Sequence, residues 1–138
     1  MAKIELLGWE AARAEASRIR FEVFVEEQGV PSEIELDEMD ALCVHALAFE
    51  EGRAVGTGRL LPDAHIGRMA VLRGWRKRGV GSGLLEALIE QARWRGDKLV
   101  ALSAQVHALE FYAGHGFRPY GEIYEEAGIP HQRMQKKL

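Results

Sequence analysis

The sequence contains a single cysteine, no long apolar run and only a small excess of negative charge. Because Cys43 is the only cysteine, an internal disulfide and a cluster of thiolate metal ligands are excluded. No apolar run approaches the ~20 residues that a membrane-spanning helix needs, and residues 1–5 hold no apolar signal core. A net charge of −3 lacks the basic footprint of a nucleic-acid-binding domain. We therefore predict a cytoplasmic protein that binds neither membranes nor nucleic acids.

The remaining composition is that of a globular protein. The chain has 138 residues, of which 47% are apolar and 28% are charged. These values suit one folded domain spanning residues 1–138. The five histidines show no ligand-like spacing, so the sequence predicts no metal site.

Hydrophobic periodicity predicts three helices and seven strands. Ala12, Ala16, Ile19 and Val23 repeat at helical spacing. A second apolar stripe follows the glycines near residue 80, and a short helix covers about 107–113. The predicted strands are residues 3–7, 44–50, 54–61, 65–71, 98–102, 117–124 and 131–137. Their order along the chain indicates an α/β fold, in which helices pack on the faces of a mixed sheet.

A basic, glycine-rich segment opens the second long helix. Five basic residues and no acid lie between Arg68 and Arg78, and glycines follow at 79, 81 and 83. Glycine lets a backbone approach an anion closely, and the first N–H groups of a helix lack internal partners. The segment therefore predicts a pyrophosphate site. It misses the Walker A pattern, because Val80-Gly81 stands where Lys-Ser/Thr is needed, and it misses the dinucleotide fingerprint at Leu84.

Two motifs resemble the Gcn5-related N-acetyltransferase (GNAT) superfamily. The first is similar to the Arg/Gln-x-x-Gly-x-Gly/Ala signature and reads Arg76-x-x-Gly79-x-Gly81. The second resembles that superfamily's fourth helix and the turn after it, and reads Ala108-x-x-Phe111-Tyr112-x-x-x-Gly116-Phe117. The order of elements and the distance between the motifs also resemble the superfamily.

A narrower likeness covers the two ends of the chain, which resemble the ElaA-like branch of the superfamily. It is carried by Arg20, Val23, Phe24, Val25, Glu27 and Gln28, by Pro31, Glu35, Asp37, Asp40 and His45, and by Gly128-Ile129-Pro130-His131 with Met134.

The resemblance implies a central, mostly antiparallel sheet with one splayed parallel pair, and helices on both faces. It also implies acetyl-CoA as co-substrate, no metal, and a small-molecule or peptide amine as acceptor. Many relatives pair as dimers, so a homodimer stays open.

The resemblance also assigns expected roles to residues. The strand ending in Met69, Ala70 and Val71 would bind the pantetheine arm, which would enter where the strand at 99–103 splays from its neighbour. Tyr112 would stand next to the cofactor sulfur. The residues expected around the pyrophosphate are Arg76, Lys77, Arg78, Gly79, Val80, Gly81 and Ser82.

Acetyl transfer needs a proton donor, an oxyanion donor and a base. A phenol can act as a positioned acid, and we expect Tyr112 to do so. A backbone N–H from residues 69–71 would hold the oxyanion. The base stays open between Glu27, His45 and His131.

An acidic segment suggests the charge of the acceptor. Residues 22–40 carry eight acids and neither Lys nor Arg, so an acidic lip could attract a cationic amine. Two other functions stay open at this point: a non-catalytic acyl-CoA sensor of the same fold, and a nucleotide-binding enzyme that uses the glycine loop for ATP. The nucleotide-binding interpretation lacks support, because the sequence has neither a Walker lysine nor an obvious magnesium site.

Overall fold

The computed structural model describes residues 2–35 and 37–138, and it places seven strands in one sheet. The spatial order is β1-β2-β3-β4-β5-β7-β6, and only β4 and β5 pair in parallel. The α/β fold with a mixed sheet is thereby confirmed. The strands are β1 (Lys3–Leu7), β2 (Val44–Glu50), β3 (Arg53–Leu60), β4 (His65–Val71), β5 (Leu99–Gln105), β6 (Arg118–Glu126) and β7 (Ile129–Lys137).

Helices cover both faces of the sheet. The alternation of side chains along a strand separates the faces: Ala46 and Ala48 of β2 pack with the third helix, and Leu47 packs with the first. The third helix ends at Gly96, a left-handed cap (φ 91). None of the helices in residues 2–35 and 37–138 is long and apolar enough to cross a membrane. The helices are α1 (Trp9–Arg20), α2 (Ser32–Glu35), α3 (Val80–Arg95) and α4 (Leu109–Ala113).

The first helix changes its winding before it ends. From Phe21 to Glu27 it is a π-helix, in which the Gln28 N–H bonds to the Val23 carbonyl, five residues back, at 3.0 Å. We call residues 21–27 the π segment. Val23 is buried in a cluster with Ala70 of β4, so the π segment lies over β4.

The two parallel strands separate almost at once, as the resemblance implied. Only two residue pairs join them, His65 with Ala101 and Ile66 with Leu102. Beyond those pairs β4 continues to Val71 and β5 to Gln105 without pairing to each other. A gap therefore opens between the two strands.

A β-bulge begins at Arg68, two residues past the last parallel pair. Thr57 of β3 pairs with Ala70, and Arg59 pairs with Gly67. Two residues of β4, Arg68 and Met69, therefore lie opposite the single residue Gly58. Such bulges bend a strand and increase its twist, which turns β4 away from β5 at the point where the gap begins.

Candidate active site

The loop before α3 presents backbone donors at the carboxyl end of β4. Lys77 (φ 63) and Gly79 (φ 81) are both left-handed, and α3 begins directly afterwards at Val80 with no side chain capping it. The N–H groups of Val80, Gly81 and Ser82 have no intrahelical partner. Aligned peptide dipoles add a partial positive charge at this helix end. The loop therefore fits an anion.

Arg76 fastens this loop to two other parts of the fold. Its Nη1 and Nη2 donate to Glu27 Oε2 and Oε1 at 2.6 and 2.7 Å, and its Nε donates to the Val71 carbonyl at 2.8 Å. Arg73 is a weaker partner of Glu27 at 3.5 Å. The hydrogen bonds from Arg76 lower the pKa of Glu27, so Glu27 is a poor proton acceptor. The Arg76 side chain holds the loop in place, with one hydrogen bond made by each of its three nitrogens.

The remaining cations of the basic run divide into paired and available ones. Arg68 bonds Asp37 at 3.2 Å. Arg78 lies over the Trp75 ring, with its Cζ 5.0 Å from the centroid. Lys77 and Arg78 are the cations of this run that have no carboxylate partner within the described residues. Fewer cations are thus free for an anion than the sequence indicated.

The three glycines of the loop serve different purposes. A Cβ at Gly79 would meet no atom within 4 Å, but its positive φ favours glycine. A Cβ at Gly81 would lie 3.4 Å from Phe111 Cζ, and one at Gly83 would lie 3.4 Å from Ile4 Cδ1. The expectation that Gly83 offers its backbone to an anion is wrong for another reason, because the Gly83 N–H already donates to the Gly79 carbonyl at 3.0 Å.

Ser82 and Glu86, in the first turns of α3, form a hydrogen-bonded trio with His115, which the sequence did not indicate. Ser82 Oγ is 3.0 Å from His115 Nε2, and His115 Nδ1 is 2.6 Å from Glu86 Oε2. Glu86 orients the imidazole, and the imidazole orients the Ser82 hydroxyl. Lys136 holds the same turn by donating to the His115 carbonyl at 2.8 Å. His115 stands just before Gly116 of the second motif, which is the one sequence signal that could have drawn attention to it.

Tyr112 lies on α4, on the same side of the sheet as α3. Its half-buried ring is edge-on to Phe111 and Phe117, with centroids 5.0 and 6.0 Å away. Tyr112, Met69 and Val71 pack against one core cluster. Burial raises the pKa of Tyr112 to about 12, so its phenol is neutral at ordinary pH and can donate a hydrogen bond.

His131 lies on β7, which pairs with β5 on the side away from the gap. It pairs with Gln105, the last residue of β5. Its Nδ1 lies 2.7 Å from the Ile129 carbonyl, which can only accept, so Nδ1 carries the proton and a neutral ring keeps its lone pair on Nε2. Gln105 and Gln28 exchange two amide hydrogen bonds of 2.9 and 3.3 Å. This exchange brings the end of the π segment to the end of β5.

His45 lies elsewhere. It is on β2, with β3 between it and β4. Its Nε2 is 2.9 Å from the Asp40 carbonyl, its ring centroid is 4.7 Å from that of Trp9, and burial lowers its pKa. The structure therefore places His45 away from the gap between β4 and β5.

The acidic segment is largely neutralised. Asp37 and Asp40 accept hydrogen bonds from Arg59, and Glu35 accepts one from Arg20. Glu27 is taken by Arg76. Four of the eight acids therefore pair with arginines, which the sequence supplies from outside residues 22–40. The charge available to an acidic lip is about half of that expected from the sequence.

Sequence and structure comparisons identify the family. Residues 11–138 match the family profile described as "Acetyltransferase (GNAT) domain". The chain belongs to the GNAT acetyltransferase family. This GNAT protein is 38% identical over 126 residues to the "Uncharacterized N-acetyltransferase YjcF" of Bacillus subtilis (strain 168), an alignment that covers 88% of this chain and 90% of that protein.

The ElaA-like branch is confirmed as well. The GNAT chain is 35% identical over 130 residues to ElaA of Escherichia coli (strain K12), which covers 88% of this chain and 84% of ElaA. The crystal structure of Escherichia coli ElaA superimposes with a TM-score of 0.88 at 31% identity, over 99% and 100% of the two chains. An "Acyl-CoA N-acyltransferase from Pseudomonas aeruginosa" superimposes with a TM-score of 0.87 at 28% identity, over 99% of both chains.

Proposed function

We propose that this GNAT protein transfers the acetyl group of acetyl-CoA to a primary amine of a small molecule or peptide. The observation that carries the proposal is the junction of a splayed strand pair with an uncapped helix start. β4 leaves β5 after Ile66, and the chain then passes through left-handed Gly79 into the free N–H groups of α3. Those two features suit a long, extended ligand with an anionic end.

The described residues fit acetyl-CoA in two places. The N–H groups of residues 80–82 would hold the diphosphate, helped by the charges of Lys77 and Arg78. Within residues 2–35 and 37–138, no strand pairs with the edge of β4 that turns toward the gap beyond Ile66. Backbone groups of residues 69–71 on that edge would bind the pantetheine amides in the manner of an added strand.

Acetyl-CoA supplies the activated acetyl group, and Tyr112 is the proposed proton donor to the departing sulfur. Its pKa of about 12 keeps the hydroxyl protonated throughout the ordinary assay range. A thiolate forming in the same buried place would also be poorly solvated, which raises its own affinity for the proton. A backbone N–H of residues 69–71 would stabilise the negative oxygen.

His131 is the proposed base for the acceptor amine. An amine is a nucleophile only after its ammonium form has lost a proton. The Nε2 lone pair of His131 could take that proton directly or through a water molecule. The other two candidates serve less well, because Glu27 is bound to Arg76 and His45 is on β2.

The experiment measures coenzyme binding and turnover separately. Isothermal calorimetry with acetyl-CoA tests the site, and thiol release with a panel of primary amines tests the reaction. We expect Tyr112→Phe to lower turnover by about 10²–10⁴-fold, with the Kd for acetyl-CoA changed by less than about threefold. Tyr120→Phe, on exposed β6, is the matched control and should behave as the parent.

The outcomes separate the competing functions. Neither heat of binding nor thermal protection by acetyl-CoA would refute the proposed function. Binding without turnover of any amine would favour the non-catalytic acyl-CoA sensor. Displacement of coenzyme A by ATP at equal concentration would favour the nucleotide enzyme.

A further inference from the structure

The bulge in β4 carries a residue in an unfavourable backbone conformation. Arg68 has a φ of +50°, a region that side-chain-bearing residues rarely adopt. It lies two residues past Ile66, the last residue of β4 that pairs with β5. Opposite it, a Cβ at Gly58 would collide with the Met69 sulfur and lie 3.1 Å from Leu88 Cδ1. The chain uses glycine beside the bulge, but it places arginine within it.

The Arg68 side chain shows what holds this conformation. Its Nε donates to the Glu35 carbonyl at 3.3 Å, and its Nη2 donates to Asp37 Oδ2 at 3.2 Å. Asp37 is itself gripped by Arg59, whose Nη1 and Nη2 reach Oδ1 and Oδ2 at 2.8 Å each. Arg59 is the neighbour of Gly58 on β3. The Asp37 carboxylate therefore contacts Arg68 within the bulge and Arg59 on the opposite strand.

This carboxylate belongs to a network that is anchored deep in the fold. Arg20, at the end of α1, bonds Glu35 and also Asp40 at 2.8 Å, and Asp40 accepts from Arg59 at 2.8 Å. Arg20, Asp40 and Arg59 are each at most 5% exposed. Three arginines and three carboxylates balance in charge, so the network is compatible with burial. It fixes Asp37 relative to α1 and β3.

We propose that Asp37 is a positioning residue that acts through Arg68 to hold the β4 bulge in its left-handed conformation. The bulge sets the direction of the Met69 N–H and of the two backbone groups after it. The inference rests on the proposed function, in which residues 69–71 bind the thioester. Relaxation of Arg68 to a negative φ would rotate the peptide between Arg68 and Met69 and aim those donors elsewhere.

Replacement of Arg68 separates conformation from charge. Glycine adopts a φ of +50° without strain, whereas alanine adopts it only at a cost in conformational energy. We expect Arg68→Ala to lower kcat by about 10²-fold, the usual result of a misplaced catalytic group. Arg68→Gly should recover kcat to within about fivefold of the parent, although it has lost the same charge and hydrogen bonds. The Kd for acetyl-CoA should rise by about 3–10-fold in Arg68→Ala, because residues 69–71 also bind the pantetheine arm, and it should return to within about threefold of the parent in Arg68→Gly.

Asp37→Asn tests the link from the other end. It should lower kcat by about 10-fold in the parent and by less than about threefold in the Arg68→Gly background, because the link is already gone there. Glu51, at φ 53 in the exposed turn between β2 and β3, provides the control. Glu51→Gly should be more stable than Glu51→Ala, because only glycine adopts the positive φ without strain. Both Glu51 variants should keep the kcat of the parent.

An NMR measurement reads the bulge without any activity. After correction for the effect of the preceding residue type, the amide shift of Met69 should move in Arg68→Ala and Asp37→Asn, and it should stay near the parent value in Arg68→Gly. Equal kcat and equal Met69 shifts in Arg68→Ala and Arg68→Gly would overturn the positioning role. An Asp37→Asn variant that keeps the kcat and the Met69 shift of the parent would overturn it as well. A parent protein that neither binds acetyl-CoA nor acetylates any amine would instead refute the proposed function, and the Met69 shifts would still decide the bulge.

Discussion

Gly79→Ala is the sharpest perturbation of the candidate coenzyme loop, because α3 has a left-handed glycine at each end. Gly79 has a φ of 81° and Gly96 a φ of 91°, and a Cβ at either position would meet nothing within 4 Å. Alanine therefore introduces the same backbone strain at both ends and no collision at either. Gly96→Ala is a matched control at the end of α3 that lies away from the loop.

The size of the effect follows from the backbone. A left-handed residue with a side chain costs about 1–2 kcal/mol, and the stiffer unfolded chain offsets about 0.4–1 kcal/mol of that. Each variant should lose about 1 kcal/mol of stability, which for a domain of this size lowers Tm by about 4 °C. If Gly79 yields to the strain, at least one N–H of residues 80–82 turns away from the diphosphate. A lost charged hydrogen bond weakens coenzyme binding by about 10–100-fold.

Thermal unfolding and calorimetry with coenzyme A measure the two effects separately. We expect equal losses of Tm in both variants and weaker binding in Gly79→Ala alone. Equal coenzyme affinities for Gly79→Ala and Gly96→Ala, at equal cost in stability, would place the diphosphate outside the loop and refute the reasoning.

Further outcomes follow from single side chains. Ser82→Ala, which removes the hydroxyl that His115 orients, should weaken coenzyme A binding by about 5–10-fold in calorimetry. Turnover should show no alkaline loss assignable to Tyr112 below about pH 11, since its pKa is about 12; a pH profile of kcat that lost such a limb in Tyr112→Phe would contradict this. Hydrogen bonds from Arg59 lower the pKa of Asp37 from 3.8 to about 2, so its stabilising contribution is present above pH 4 and disappears as the pH falls to 2. Acid unfolding of Asp37→Asn should lack this component.

Features that recur along the chain were predictable from the sequence. α3 was visible because Leu84, Leu88 and Ala92 return to one face, and burial of that face is what selects apolar residues. The π segment was not visible. Ala12 through Val23 keep a helical spacing across the change in winding, and Val23 packs with Ala70 of β4. Tertiary contacts of that kind leave no periodic trace in the sequence.

Pairings across the chain were the least predictable part of the site. The sequence shows that Glu27 and Arg76 are charged, but not that they meet, since 49 residues separate them. The sequence therefore indicates eight unpaired acids in residues 22–40, although four of them pair with arginines in the fold. Ser82 and His115 are 33 residues apart, and no spacing rule joins a helix start to a distant turn. The motif residues located the loop, and only the fold shows which of their donors are occupied.

The exchange between Gln28 and Gln105 has one more consequence. Glu27 and Gln28 are neighbours at the end of the π segment, and different interactions hold them. Glu27 forms an ion pair with Arg76, whereas Gln28 forms uncharged hydrogen bonds with Gln105 of β5. Counterions at high concentration weaken attraction between exposed ions but hardly affect amide dipoles in contact. In concentrated salt the Glu27–Arg76 pair would therefore weaken first, while Gln28 stays bonded to Gln105 and Val23 stays packed against Ala70 of β4.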